Sequence, residues 1–125
     1  MSVLLDTHVL LWWLEDDKRL SLPARDAILA AEEVRVSAAS VWEIAIKRAL
    51  GRLDVPADYL DYVEQTSFRP LPITFQHAEL AGALPRHHDD PFDRMLVAQA
   101  RIEGLTLVTA DRRLGDYGIA LLSAV

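Results

Sequence analysis

The sequence predicts a doubly wound α/β sandwich, and three of its features carry that prediction. Short, wholly apolar runs end in a polar residue, as strands buried on both faces do. Helical patterns separate these runs, and glycine or proline stands where helices should stop or start. Val3 to Leu5 ends in Asp6, and Val34 to Ser37 and Leu105 to Thr109 read the same way. Leu71 to Ile73 and Ile119 to Leu122, bracketed by Pro70, Pro72 and Gly118, would complete a parallel sheet of about five strands. Helices are expected over His8 to Glu15, Leu22 to Glu32, Ser40 to Leu50, Ala57 to Thr66, Phe75 to Leu84 and Pro91 to Glu103. Gly51 and Gly104 follow Leu50 and Glu103 as left-handed terminating residues, and Pro91 occupies a first helical position, where its missing N–H costs nothing. No repeat or low-complexity linker interrupts this alternation, so right-handed crossovers with helices on both sheet faces are expected.

A length of 125 residues fits one domain over residues 1–125, built on one hydrophobic core. Hydrophobic residues make up 51% and charged residues 26%, a balance that excludes a disordered chain. There is no cysteine, which excludes a disulfide scaffold, a cysteine nucleophile and a thiolate metal site. The apolar stretch Val9 to Leu14 is too short, and too soon followed by Glu15, Asp16 and Asp17, for a membrane span or signal peptide. A cytoplasmic protein is the expectation. The net charge of −6 argues against a broadly basic nucleic-acid surface, so any such contact must be local. Eleven arginines against two lysines favour bidentate phosphate contacts, and Arg94, Arg112 and Arg113 lie beside the acidic motifs.

In an open parallel sheet, ligands bind beyond the carboxyl ends of the strands. Asp6 ends the first strand, Glu43 falls in the first turn of the helix after the second, Asp93 lies in the first turn of the helix from Pro91, and Asp111 follows the strand ending at Thr109. Carboxylates gathered at one edge repel one another unless a hard divalent cation neutralises them, and oxygen donors suit Mg²⁺ or Mn²⁺. Such an ion activates water and stabilises a leaving oxygen, the chemistry that phosphodiester hydrolysis requires. The hydroxyls of Thr7 and Thr109 are placed to orient carboxylates or water.

Each acid also fits a structural role. Ser40-x-x-Glu43 matches a capping box, and Asp90-Pro91-x-Asp93 supplies an N-cap and an acid at the third helical position. Asp111 suits the cap of a short turn to Leu114, and Asp6 suits bonding to amides of the next turn. Their coincidence at one sheet edge is what favours a site. Asp90 is assigned to the cap with a supporting place near the site, and Asp89 to solvent. His87, His88 and His8 lack the i, i+4 spacing of paired metal ligands, so histidine ligation is not expected; His8 is given a supporting role toward phosphate or water. Trp12, Trp13 and Trp42 are read as core or subunit-interface packing. The helices are apolar around more of their circumference than one small sheet covers, which points to a homodimer or a partner groove.

Four ordered segments carry a family resemblance: Leu4-Leu5-Asp6-Thr7-His8, Ser40-Val41-Trp42-Glu43-Ile44-Ala45-Ile46-Lys47, Asp90-Pro91-Phe92-Asp93-Arg94-Met95-Leu96-Val97-Ala98-Gln99-Ala100 and Val108-Thr109-Ala110-Asp111. In that order and spacing the chain resembles a PIN-domain ribonuclease of the VapC type, the toxin half of bacterial toxin–antitoxin pairs. The resemblance spans nearly the whole chain. It implies a PIN-like three-layer sandwich, Mg²⁺- or Mn²⁺-dependent endoribonuclease activity on an RNA substrate, homodimerisation, and inhibition by a cognate antitoxin whose C-terminal segment lies in the acidic groove. Carried over by position, Asp6, Glu43, Asp93 and Asp111 are the acidic quartet, with Asp6 and Asp93 as principal metal ligands and the other two completing the site directly or through water.

Three other readings compete. A receiver-type signalling domain also has an acidic magnesium pocket, but it expects a lysine after the last strand and an adjacent acidic pair after the first; no lysine lies beyond Lys47, and Thr7 and His8 follow Asp6. A phosphatase with an aspartyl nucleophile expects Asp-x-Asp where Asp6-Thr7-His8 stands. A catalytically inactive PIN-like binding module is left open by the sequence.

Overall fold

The computed structural model, which describes residues 1–125, is organised around the central strand β1 (Ser2–Leu5). Side chains of a strand alternate between faces. Accordingly Val3 and Leu5 enter one apolar cluster, and Leu4 enters a second on the opposite face. With β2 (Glu33–Ser37), β3 (Arg69–Leu71), β4 (Thr106–Thr109) and β5 (Leu121–Ser123) the sheet has five strands in the order β3-β2-β1-β4-β5. Every neighbouring pair is parallel.

The first cluster is covered by α1 (Thr7–Leu14), α2 (Leu22–Ala30), α3 (Ala38–Ala49) and α4 (Tyr59–Gln65), through Val9, Leu10, Ile28, Ile44 and Val63 among others. The second is covered by α5 (Phe75–Ala83), α6 (Pro91–Glu103) and a 3-10 helix, Arg112–Tyr117, through Ala81, Leu96, Val97 and Leu114. The expected sandwich of helix, sheet and helix is therefore present. Gly104 ends α6 in the left-handed conformation, at φ 68°, as its position after Glu103 predicts. No helix is long and apolar enough to cross a membrane.

Two expectations require correction because of local hydrogen bonding. Helix α3 begins at Ala38, since the Ser37 side chain accepts from the Ala39 N–H and serves as its N-cap. The expected Ser40–Glu43 capping box does not form, and Glu43 lies in the second turn of α3 instead of the first. A capping box forms at α5, between Thr74 and His77. The weaker strands also sit elsewhere. β3 lies two residues before its expected start and retains Pro70, which the sheet tolerates because β3 is an edge. β5 begins two residues later than expected, after Gly118 turns the chain at φ 74°.

Strand order determines where a ligand can sit. The chain passes from β1 to β2 and β3 on one side, then returns to β4 and β5 on the other. The reversal opens a crevice beyond the carboxyl ends of β1 and β4, and Asp6 and Asp111 follow those two strands.

Candidate metal centre

Asp6 is the first residue after β1 and is buried. Its backbone N–H donates to the Val108 carbonyl at 3.1 Å, which ties it to β4. Its side chain caps α1: Oδ1 accepts from the Val9 N–H at 2.8 Å, and Oδ2 accepts from Thr109 Oγ1 at 2.5 Å. Burial raises the Asp6 carboxyl above the ordinary range, and the bonds from Thr109 and Val9 work against that rise.

Glu43 is also buried, one turn before Lys47 on α3, whose Nζ lies 2.7 Å from Glu43 Oε2. Asp93, in the first turn of α6, is partly buried. Burial first, then the negative charge of Asp90, pushes its carboxyl up to about 7; Asp6 and Glu43 add to the rise and His88 opposes it. Asp6, Glu43 and Asp93, drawn from β1, α3 and α6, thus share one electrostatic environment.

Asp111 is held differently. It caps the 3-10 helix, with Oδ1 accepting from the Arg113 N–H at 3.0 Å and Arg113 Nε at 3.0 Å. Oδ2 lies 2.8 Å from Arg113 Nη2 and 3.1 Å from His88 Nε2. The Arg113 guanidinium holds this carboxyl down to about 2. His88 Nε2 is also 3.4 Å from Asp93 Oδ2, so the imidazole links Asp111 to the other acids.

The supporting residues divide. Thr109 orients Asp6, as expected, and its oxygen also accepts from the Asp111 N–H at 3.0 Å. Thr7 does not reach a carboxylate: its hydroxyl donates to Ser40 Oγ at 3.0 Å, joining α1 to α3. Asp90 caps α6 through the Phe92 and Asp93 N–H groups, and Asp89 is exposed. Arg94 turns away from the crevice and donates to the carbonyls of Ala81, Leu84, Pro85 and His88. Arg113 engages Asp111, while Arg112 is exposed. His8 is exposed, and its charge lowers the Asp6 carboxyl. Trp12 and Trp13 pack on the first cluster, whereas Trp42 is 61% exposed and meets Phe92 edge-on.

Sequence reasoning missed Lys47 and His88. The Lys47 contact was readable, because residues four apart meet on a helix. The His88 contact was not, because it depends on the path of the loop before α6.

The donor set suits a hard cation. Asp6, Glu43 and Asp93 offer only carboxylate oxygens, and in a crevice without a compensating cation Asp93 retains its proton up to about neutral pH.

A parallel α/β sandwich whose switch point is edged by acidic side chains, Asp93 and Asp111 meeting there around His88, places the chain among acidic-site α/β folds. The chain belongs to the PIN domain family, whose family model matches residues 3–120. It is 40% identical over 119 residues to Ribonuclease VapC22 of Mycobacterium tuberculosis, covering 93% of this chain and 92% of the relative. Its fold is similar to that of VapBC2 from Rickettsia felis bound to a DNA fragment from the promoter, with a TM-score of 0.74, 11% identity and 98% of each chain covered. A toxin–antitoxin complex from Klebsiella pneumoniae superposes with a TM-score of 0.71 at 17% identity, again over 98% of each chain.

Proposed function

We propose that this protein is a Mg²⁺- or Mn²⁺-dependent endoribonuclease and the toxin of a toxin–antitoxin pair, with residues 1–125 forming one nuclease domain. In this reading Asp6 and Asp93 hold the ion, and Glu43 and Asp111 complete the acidic quartet. The observation that carries it is the meeting of Asp93 and Asp111 around His88, with ligand atoms within 4.8 Å of one another beyond the carboxyl edge of the sheet, where Asp6 and Glu43 add to the rise of Asp93 that burial and Asp90 chiefly cause. The kinship with a protein named as a ribonuclease supports the substrate class.

When bound, a divalent ion supplies Lewis acidity toward a phosphate oxygen and a water of lowered pKa. The chain's own residues supply orientation. Thr109 and the Val9 N–H fix both oxygens of Asp6, so its carboxylate is preorganised. Glu43, paired with Lys47 one turn on, is the acceptor assigned in this reading to the attacking water. Arg112, exposed beside Asp111, is the arginine available to a substrate phosphate.

The remaining assignments belong to the same reading. The partner is a cognate antitoxin presenting basic side chains to the acidic groove, in keeping with a net charge of −6 and with a fold shared with a chain of a toxin–antitoxin complex. The expected setting is the cytoplasm, where RNA is met. A homodimer is supported by Trp42 and Ile46 on α3 and by Leu50 at its C-cap, which expose apolar surface about one helical turn apart.

The test is cleavage of a structured RNA by the purified chain with Mg²⁺ or Mn²⁺, with chelator as control, alongside Asp6→Asn and Asp93→Asn. Each variant is expected to keep native circular dichroism. Each should lose more than about 100-fold in cleavage, beyond what loss of an outer-sphere partner costs, and should no longer arrest growth on expression. Full cleavage by either variant would refute the assignment, and folded wild-type chain that binds partner but never cuts RNA would favour the inactive module.

A further inference from the structure

We propose that His88 is a positioning residue: its imidazole is locked as the Nε2–H tautomer and holds Asp111 and Asp93 in place as a hydrogen-bond donor, not as a ligand of the ion. The inference rests on the reading that this crevice binds a divalent cation. By position alone His88, Asp93 and Asp111 resemble a ligand set, since one atom from each lies within 4.8 Å of the others. The hydrogen bonds say otherwise.

Nδ1 of His88 accepts from the backbone N–H of Asp90 at 3.1 Å. A neutral imidazole has one donor nitrogen and one acceptor, so the hydrogen resides on Nε2. Nε2 faces two acceptors, Asp111 Oδ2 at 3.1 Å and Asp93 Oδ2 at 3.4 Å. A ring ligating through Nε2 would carry its hydrogen on Nδ1 and set it against the Asp90 N–H, donor facing donor. That amide cannot turn aside easily, because Asp90 is the N-cap of α6 and its side chain binds the Phe92 and Asp93 N–H groups. An Arg113 Nη2 hydrogen is also directed at Nε2, at 3.1 Å, but Arg113 is an exposed side chain whose guanidinium can turn that hydrogen onto Asp111 Oδ2 at 2.8 Å, whereas the Asp90 amide is fixed by the helix cap.

The ring is held from behind as well. The His88 carbonyl accepts from Tyr117 Oη at 3.3 Å and from Arg94 Nη1 at 3.3 Å, and the side chain is only 9% exposed. Tautomer and orientation are thus set by the backbone of the loop before α6. Asp111, whose oxygens each receive two hydrogen bonds, from the Arg113 N–H and Nε on Oδ1 and from Arg113 Nη2 and His88 on Oδ2, is left to meet an ion through water, whereas each oxygen of Asp6 receives only one.

Long-range ¹H–¹⁵N spectra of the metal-free protein at mildly alkaline pH read the tautomer directly, with the His88 signals assigned by their loss in His88→Gln. Protonated Nε2 is expected; protonated Nδ1 overturns the proposal whatever the variants do. Mn²⁺ affinity, read by electron paramagnetic resonance of the free ion, is expected to fall about 10- to 100-fold in His88→Ala, the range for loss of an outer-sphere partner. His88→Gln, which restores an N–H donor near the Nε2 position, is expected to recover most of it. Wild-type affinity in His88→Ala, or no recovery in His88→Gln, overturns the proposal. Should the wild-type chain bind no Mn²⁺ at all, the nuclease reading of the crevice fails, while the tautomer spectrum still decides the hydrogen-bond assignment.

Discussion

Asp93 couples the crevice to pH. Its carboxyl is raised to about 7 in the folded, metal-free chain, chiefly by burial and by Asp90. Unfolded, it titrates near about 4. Between those values the folded state holds more protons than the unfolded one, so stability falls as pH rises through the window and levels off above it. The metal-free protein is expected to lose up to on the order of 4 kcal/mol across that range, and Asp93→Asn to flatten the slope, as measured by urea unfolding at a series of pH values. Asp111 acts the other way at lower pH: the Arg113 guanidinium keeps it near 2, so its contribution is lost on acidification. Because a ligating carboxylate must be ionised, Mn²⁺ affinity is expected to fall as pH drops below about 7. Affinity independent of pH through neutrality would remove Asp93 from the ligand set.

Helix α6 is the element that joins the second core to the site. Buried Leu96, Val97 and Ala100 anchor it, Asp90 caps its start, and Asp93 in its first turn is thereby aimed into the crevice. Arg94, one residue on, looks from sequence like a phosphate contact but instead gathers the last carbonyls of α5, donating to Ala81 and Leu84 at 2.9 Å each. Those groups end a helix without intrahelical partners. Arg94→Ala is expected to cost about 1–3 kcal/mol of stability, in the range for charged hydrogen bonds, with RNA cleavage by the folded fraction near wild type. Unchanged stability with lost cleavage would return Arg94 to a substrate role. Ser37 illustrates the same point on α3. Its hydroxyl caps the helix and donates to buried Gln99 of α6, so the residue that starts α3 also fixes the spacing between the helices bearing Glu43 and Asp93.

Across the assembled chain, apolar side chains fill two cores, yet Trp42 on α3 and Leu50 at its C-cap remain 61% and 60% exposed. Ile46 lies between them. A second copy of the chain is the occupant proposed for this stripe, and light scattering is expected to report a dimer. Ile46→Glu, which places a charge in the middle of the stripe, is expected to yield a folded monomer. A monomeric wild-type chain would end that expectation.

Strands β1, β2 and β4, the helices from Pro91 and Phe75 onward and the left-handed turn at Gly104 were legible because each depends on local chemistry: apolar runs, caps, missing N–H groups and side-chain period. The parallel sheet also followed, because alternating strands and helices leave few other ways to bury every strand on both faces. Local pattern misplaced the start of α3, since Ser37 and Ser40 are equivalent candidates for a cap until β2 has a partner and a length. It was also silent on His88, whose ring meets Asp93 and Asp111 only after the loop, β4 and α6 have been brought together. The raised carboxyls of Asp6 and Asp93 are likewise a property of packing, because burial chiefly sets them, and it does not exist in the unfolded chain.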